Sequence, residues 1–130
     1  MSGLSDHDYL ERLCQIVKDD PRYDFEAYIF VNEALQFLLN QLGEKRHVTG
    51  QELLAGIREY ALRQYGPLSR NVLEHWGVRR CEDFGEIVFN MVEKNLMGKT
   101  GKDRREDFEG GYDFKEAFET PFQPQAPKRR

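Results

Sequence analysis

The stretch Trp76–Lys99, WGVRRCEDFGEIVFNMVEKNLMGK, decides how this chain folds. Phe84, Ile87, Val88, Met91, Val92 and Leu96 fall at i, i+3, i+4, i+7, i+8 and i+12, which is one apolar stripe of an α-helix. The stripe predicts a helix from about Asp83 to Met97, stopped before Gly98. Gly77 suits the turn after a shorter helix that ends near Trp76, the single tryptophan. Two helices joined by a tight turn, with Trp76 and the stripe facing inward, form a hub for the rest of the chain.

Helical signals continue upstream. Ser5 caps a first helix, Asp6 to Lys18, whose Tyr9, Leu10, Leu13, Ile16 and Val17 recur at helical spacing. Asp6 and Asp8 in its first turn complement the helix dipole. Asp19-Asp20-Pro21 ends it. A second helix runs from an Asp24 cap to Leu42, apolar nearly all round and so expected at the centre, with Gly43 as its stop. Thr49-Gly50-Gln51-Glu52 reads as a capping box that opens a third helix to about Tyr65. Gly56 inside it leaves room for another helix to approach. Gly66-Pro67 starts the fourth, short helix, which ends near Trp76.

One internal echo stands out. Asp24-Phe25 before Tyr28-Ile29-Phe30 resembles Asp83-Phe84 before Ile87-Val88-Phe89. Either a helix pair is duplicated, or Asp-Phe is simply a good helix opening.

Beyond Gly98 the composition changes to alternating charge. Phe108, Tyr112, Phe114, Phe118 and Phe122 punctuate a polar segment that contains Gly110-Gly111. Asp113 to Glu116 can cap one short helix through Thr120. Five free aromatics in water are unfavourable. They either wrap back onto the helical core, with Phe89 as the place to look for them, or fold against a partner. Pro121, Pro124 and Pro127 suit an extended tail that ends in Lys128-Arg129-Arg130. The expected organisation is a loose terminus over 1–5, an all-α domain of about five helices over 6–122, and a disordered tail over 123–130.

Charge and composition narrow the function classes. A hydrophobic fraction of 39% and a net charge of −4 describe a folded protein without a global drive toward nucleic acid or anionic membrane. Residues 1–42 hold eight acidic and three basic side chains, and residues 44–80 hold four acidic and seven basic ones. No apolar run approaches the ~20 residues needed to cross a bilayer, and the polar, acidic start does not read as a signal peptide. The cytoplasm is therefore the expected compartment, with Cys14 and Cys81 reduced.

No motif carries clear chemistry. His7, His47, His75, Cys14 and Cys81 never fall at a metal-ligand spacing. Cys81 follows Arg79-Arg80 and precedes a helix, two features that favour a thiolate. Glu82 and Asp83 oppose them, so a structural thiol is the expectation and an enzyme using Cys81 the minor alternative. Gly98-Lys99-Thr100-Gly101-Lys102 looks like the end of a P-loop but follows a helix. The helix–turn–helix outline around Gly77 has an acidic outer face, with Glu82, Asp83, Glu86 and Glu93, which repels phosphate. Arg79 and Arg80, with Arg58, Arg63 and Arg70, leave nucleic-acid or ribosome contact as an alternative.

Several motifs together resemble a known family. They are residues 47–54 (HVTGQELL), Tyr60-Ala61 to Gly66-Pro67, Trp76-Gly77-Val78, residues 82–90 (EDFGEIVFN), Gly98-Lys99-Thr100, and residues 107–114 (DFEGGYDF) through Phe118. The combination looks like a conserved hypothetical protein family of planctomycete and verrucomicrobial bacteria. The resemblance spans about residues 8–122. It implies no activity, cofactor or catalytic residue. It does imply that the aromatic segment belongs to the domain and that the setting is a bacterial cytoplasm. The functional expectation is a non-enzymatic protein-interaction or regulatory adaptor module, without cofactor or metal. Its candidate partner-binding residues are Arg79, Arg80, Phe108, Tyr112, Phe114, Phe118 and Phe122.

Overall fold

The computed structural model describes residues 5–97 and 105–122. These residues form an all-α domain: α1 (Asp6–Asp19), α2 (Phe25–Leu42), α3 (Gly50–Tyr65), α4 (Ser69–His75) and α5 (Cys81–Glu93). A C-terminal arm then crosses them through a 3-10 turn at Arg105–Phe108, a π turn at Lys115–Glu119 and a last 3-10 turn at Thr120–Phe122. Residues 98–104, which include the P-loop-like residues 98–102, and the tail 123–130 lie outside the described residues, as do residues 1–4.

Local signals set the helix starts. Ser5 Oγ accepts from the Asp8 amide at 3.2 Å, and Asp24 Oδ1 accepts from the Glu26 amide at 2.9 Å. Thr49 and Glu52 complete the expected capping box, with bonds of 3.1 and 2.8 Å. Leu38 of α2 lies against Gly56 of α3, the close approach which that glycine allows.

Three boundaries differ from the sequence expectation. α5 begins at Cys81, so Asp83 is its third residue and not its opening. From there the Asp83 carboxylate reaches back to the Arg79 and Arg80 amides at 2.9 and 3.3 Å. It also accepts from the Tyr23 hydroxyl at 2.6 Å. The echo with Asp24-Phe25 is therefore not a shared position: Asp24 is a true N-cap, and Phe25 is half-buried where Phe84 is wholly buried. At its other end α5 stops at Glu93. Asn95 takes a left-handed φ of 59°, while its amide and that of Leu96 return to Val92 and Met91 at 3.0 and 2.8 Å. That is a Schellman stop built on asparagine. The fourth helix is likewise shorter than expected, because Gly66–Leu68 is a separate 3-10 turn. Buried Ser69 joins the two, with its hydroxyl between the Ala61 and Gly66 carbonyls at 2.9 and 2.7 Å.

α2 is less central than its composition suggests. Ala27, Tyr28, Phe30, Val31 and Ala34 are buried, whereas Leu35, Phe37, Leu38 and Leu39 are half-buried and Leu42 is exposed. The hub around Gly77 does exist, but Leu73 and Val78 anchor it, and Trp76 is only half-buried. The Trp76 carbonyl accepts from the Asp24 amide at 2.9 Å. Gly77 sits at φ 92° directly over the Arg22 carbonyl, where a side chain has no room. Beside it, the Asn90 amide bridges Asp20 and the Tyr28 hydroxyl, 3.0 Å from each, and ties the first interhelical turn to α5.

Candidate interaction surface

The arm packs on the core of its own chain. Phe108, Phe114 and Phe118 are fully buried. Phe108 enters a notch formed by Gly50 at the start of α3 and Gly85 on α5, where any added Cβ would press on its ring. Gln51 Nε2 donates to the Asp107 carbonyl at 2.6 Å beside that notch. Phe114 stands 5.9 Å from Phe84 and 5.0 Å from Phe118, the latter edge to face. The Tyr112 ring is half covered, and its hydroxyl donates to the Leu54 carbonyl of α3 at 2.8 Å. Burial pushes that phenol well above its ordinary pKa. Arg70 of α4 closes the far side on Glu119 at 3.2 Å.

These contacts correct the proposed roles of the arm residues. Phe108, Phe114 and Phe118 are spent on the intramolecular core, so none presents a surface to a partner while the arm is docked. Phe122 remains 44% exposed and available. The arm meets α5 at Cys81, Phe84 and Gly85, one to two turns before Phe89, which is half-buried against the core.

Cys81 lies beneath the arm. The Tyr112 amide donates to its Sγ at 3.3 Å, and the Sγ lies 3.4 Å from the Tyr112 carbonyl. Burial raises its pKa to about 11, the opposite of the shift an activated thiolate needs. Cys14 is exposed on α1, and His7, His47 and His75 are also exposed on separate elements. Among the described residues no group of three or more His, Cys, Asp or Glu side chains is placed to hold a metal ion.

Three of the seven basic side chains in the positive middle of the chain are matched within the fold. Arg46 pairs with Glu52 at 3.1 Å, Arg63 with Glu59 at 2.9 Å, and Arg70 with Glu74 at 3.0 Å. Arg79 and Arg80 differ. Both are exposed at the α4–α5 turn, their backbone is fixed by Asp83, and among the described residues no ion pair takes up either guanidinium. An open depression of about 440 Å³ also touches α5 through Glu82 and is lined further by Gly110 to Asp113 and Glu116.

A second group of side chains escaped the sequence reading. Glu26, Phe30, Glu33 and Phe37 fall at i, i+4, i+7 and i+11 along one flank of α2. Phe30 is buried, and three half-buried rings surround it: Tyr60 at 5.5 Å, Trp76 at 5.5 Å and Tyr65 at 6.1 Å. Tyr65 and Trp76 meet edge to face at 5.9 Å. The Tyr60 hydroxyl donates to Glu33 at 3.2 Å. The spacing on α2 was the available signal, hidden because the helix is apolar on nearly every side.

No family model, curated protein or solved structure matches this chain. Among the described residues no helix is long and apolar enough to cross a membrane.

Proposed function

We propose that this chain is a non-enzymatic protein-interaction or regulatory adaptor module, with the Arg79–Arg80 turn as its main polar contact. One observation carries this reading: two adjacent arginines are exposed on a backbone fixed by Asp83, while Arg46, Arg63 and Arg70 are matched within the fold. An exposed arginine pair favours an acidic surface on the partner, because guanidinium groups bind carboxylates in a forked, directional way. Phe122 adds an exposed aromatic at the end of the arm. The family resemblance and a bacterial cytoplasmic setting belong to this proposal.

Affinity purification from the native cell with the intact protein and with an R79E/R80E variant tests it. A specific partner that is lost on charge reversal is expected. A partner set unchanged by the reversal would sink the role of the turn. The same arginines support a second reading, contact with nucleic acid or the ribosome. In that case binding to a generic duplex falls steeply as salt rises. The acids Glu82 and Glu86 near the turn weigh against it. Catalysis by Cys81 is the least supported option, since its thiol is covered and held neutral.

A further inference from the structure

We propose that the aromatic group built on Phe30, Tyr60, Tyr65 and Trp76, with the carboxylates of Glu33 and Glu26 beside it, receives a methylated ammonium group. The inference goes beyond the Arg79–Arg80 reading and stands on different residues.

A quaternary ammonium has diffuse charge and an apolar surface, with no N–H to donate. Aromatic faces suit it, because their quadrupole is negative over the ring and desolvating the cation is cheap. The cluster supplies those faces from three elements. Phe30 of α2 is the buried floor, Tyr60 and Tyr65 of α3 are half-buried around it, and half-buried Trp76 follows α4. The ring centroids lie 5.5 to 6.1 Å from that of Phe30.

Charge is arranged to match. Glu33 is exposed and its carboxylate accepts from the Tyr60 hydroxyl at 3.2 Å. Both Tyr60 and Tyr65 have raised pKa values, first from burial and then from the field of Glu33, with Glu26 adding to it at Tyr65. Among the described residues no basic side chain forms an ion pair with Glu26 or Glu33. One ring further along the same flank, the chain places its own cation: the Arg63 guanidinium lies 5.3 Å from the Phe37 centroid, and Phe37 is 5.3 Å from Tyr60. Among the described residues no cation lies over the rings of Tyr60, Tyr65 or Trp76.

Trp76, as the single tryptophan, is a built-in reporter. The test titrates the full chain with tetramethylammonium and follows Trp76 fluorescence. Controls are sodium chloride and 3,3-dimethyl-1-butanol, a neutral carbon analogue of choline. Saturable change with tetramethylammonium and none with the controls is the expected result. E33Q should weaken it about threefold and Y60L about fivefold, the scale of a lost charge and a lost ring face. Glu33 is exposed, so E33Q remains informative if Y60L fails to fold. R79E/R80E should leave the titration unchanged, which separates this site from the adaptor reading. Two further arms identify the source of the group: a trimethyl-lysine peptide and phosphatidylcholine vesicles. Tighter binding of either assigns a modified side chain or a lipid headgroup, and weaker binding of both assigns a free small cation. No saturation by tetramethylammonium, an equal response to the neutral analogue, or indifference to E33Q would each overturn the proposal.

Discussion

Gly77 and Gly110 share a left-handed φ, 92° and 63°, but not a surrounding. A methyl at Gly77 would collide with the Arg22 carbonyl, whereas nothing lies within 4 Å of one at Gly110. G110A should therefore cost only the backbone strain, about 1–2 kcal/mol. G77A adds a clash with fixed backbone and should cost more than about 2 kcal/mol. Chemical denaturation of both variants checks the order. Titration follows the same residue-level logic. The folded pKa of Cys81, about 11, lies above its ordinary 9.0, and burial also raises Tyr23, Tyr28 and Tyr112. Above pH 9 the unfolded chain releases protons that the folded chain retains, so stability falls with pH. On the acid side Arg46 holds exposed Glu52 down to about 2, from 4.5, and Arg22 holds Asp20 below its usual range. Their contribution is present above the ordinary carboxylate values and is lost as pH falls through the folded ones. Denaturation midpoints against pH should thus decline at both ends.

Helix openings were legible at the level of elements because a cap is a contact between residues two or three apart. Ser5, Asp24 and Thr49–Glu52 all perform as their sequence signature indicates. The start of α5 was not, because Asp83 serves a distant partner, Tyr23, as well as its own helix. Its end was missed because the apolar stripe continues through Leu96 while the backbone has already turned at Asn95. Leu96 still reaches the core, carried there by the turn and not by another helical residue. Asn95 is favoured in this left-handed position only by its short polar side chain. N95A should destabilise by about 1 kcal/mol, and N95G should be neutral or slightly stabilising. Thermal unfolding of the pair separates the turn from any side-chain contact.

At the scale of the whole molecule, the aromatic arm packs across α3, α4 and α5. Its aromatics were visible in the sequence, but their destination was not. The π and 3-10 turns give no 3.6-residue period, and the Gly50–Gly85 notch joins residues far apart in the chain. The candidate site divided in the same way. Arg79 and Arg80 remain the proposed contact, named from charge alone, while Phe108, Phe114 and Phe118 lie in the core. F108A removes the ring from the notch and should cost roughly 3–5 kcal/mol, as for other buried phenylalanines. F122A, at an exposed position, should cost less than about 0.5 kcal/mol. A similar cost for both would contradict the burial of the arm's first turn.

The docked arm seals Cys81 beneath Tyr112, and thiol accessibility measures that seal directly. In a C14S variant Cys81 is the single thiol, and its rate of reaction with a disulfide reagent at neutral pH can be compared with the rate in denaturant. Protection of Cys81 in the native state, lost together with the cooperative unfolding of the helices, is the predicted result. Reaction as fast as that of the exposed Cys14 in the parent chain would show that the arm does not cover the core.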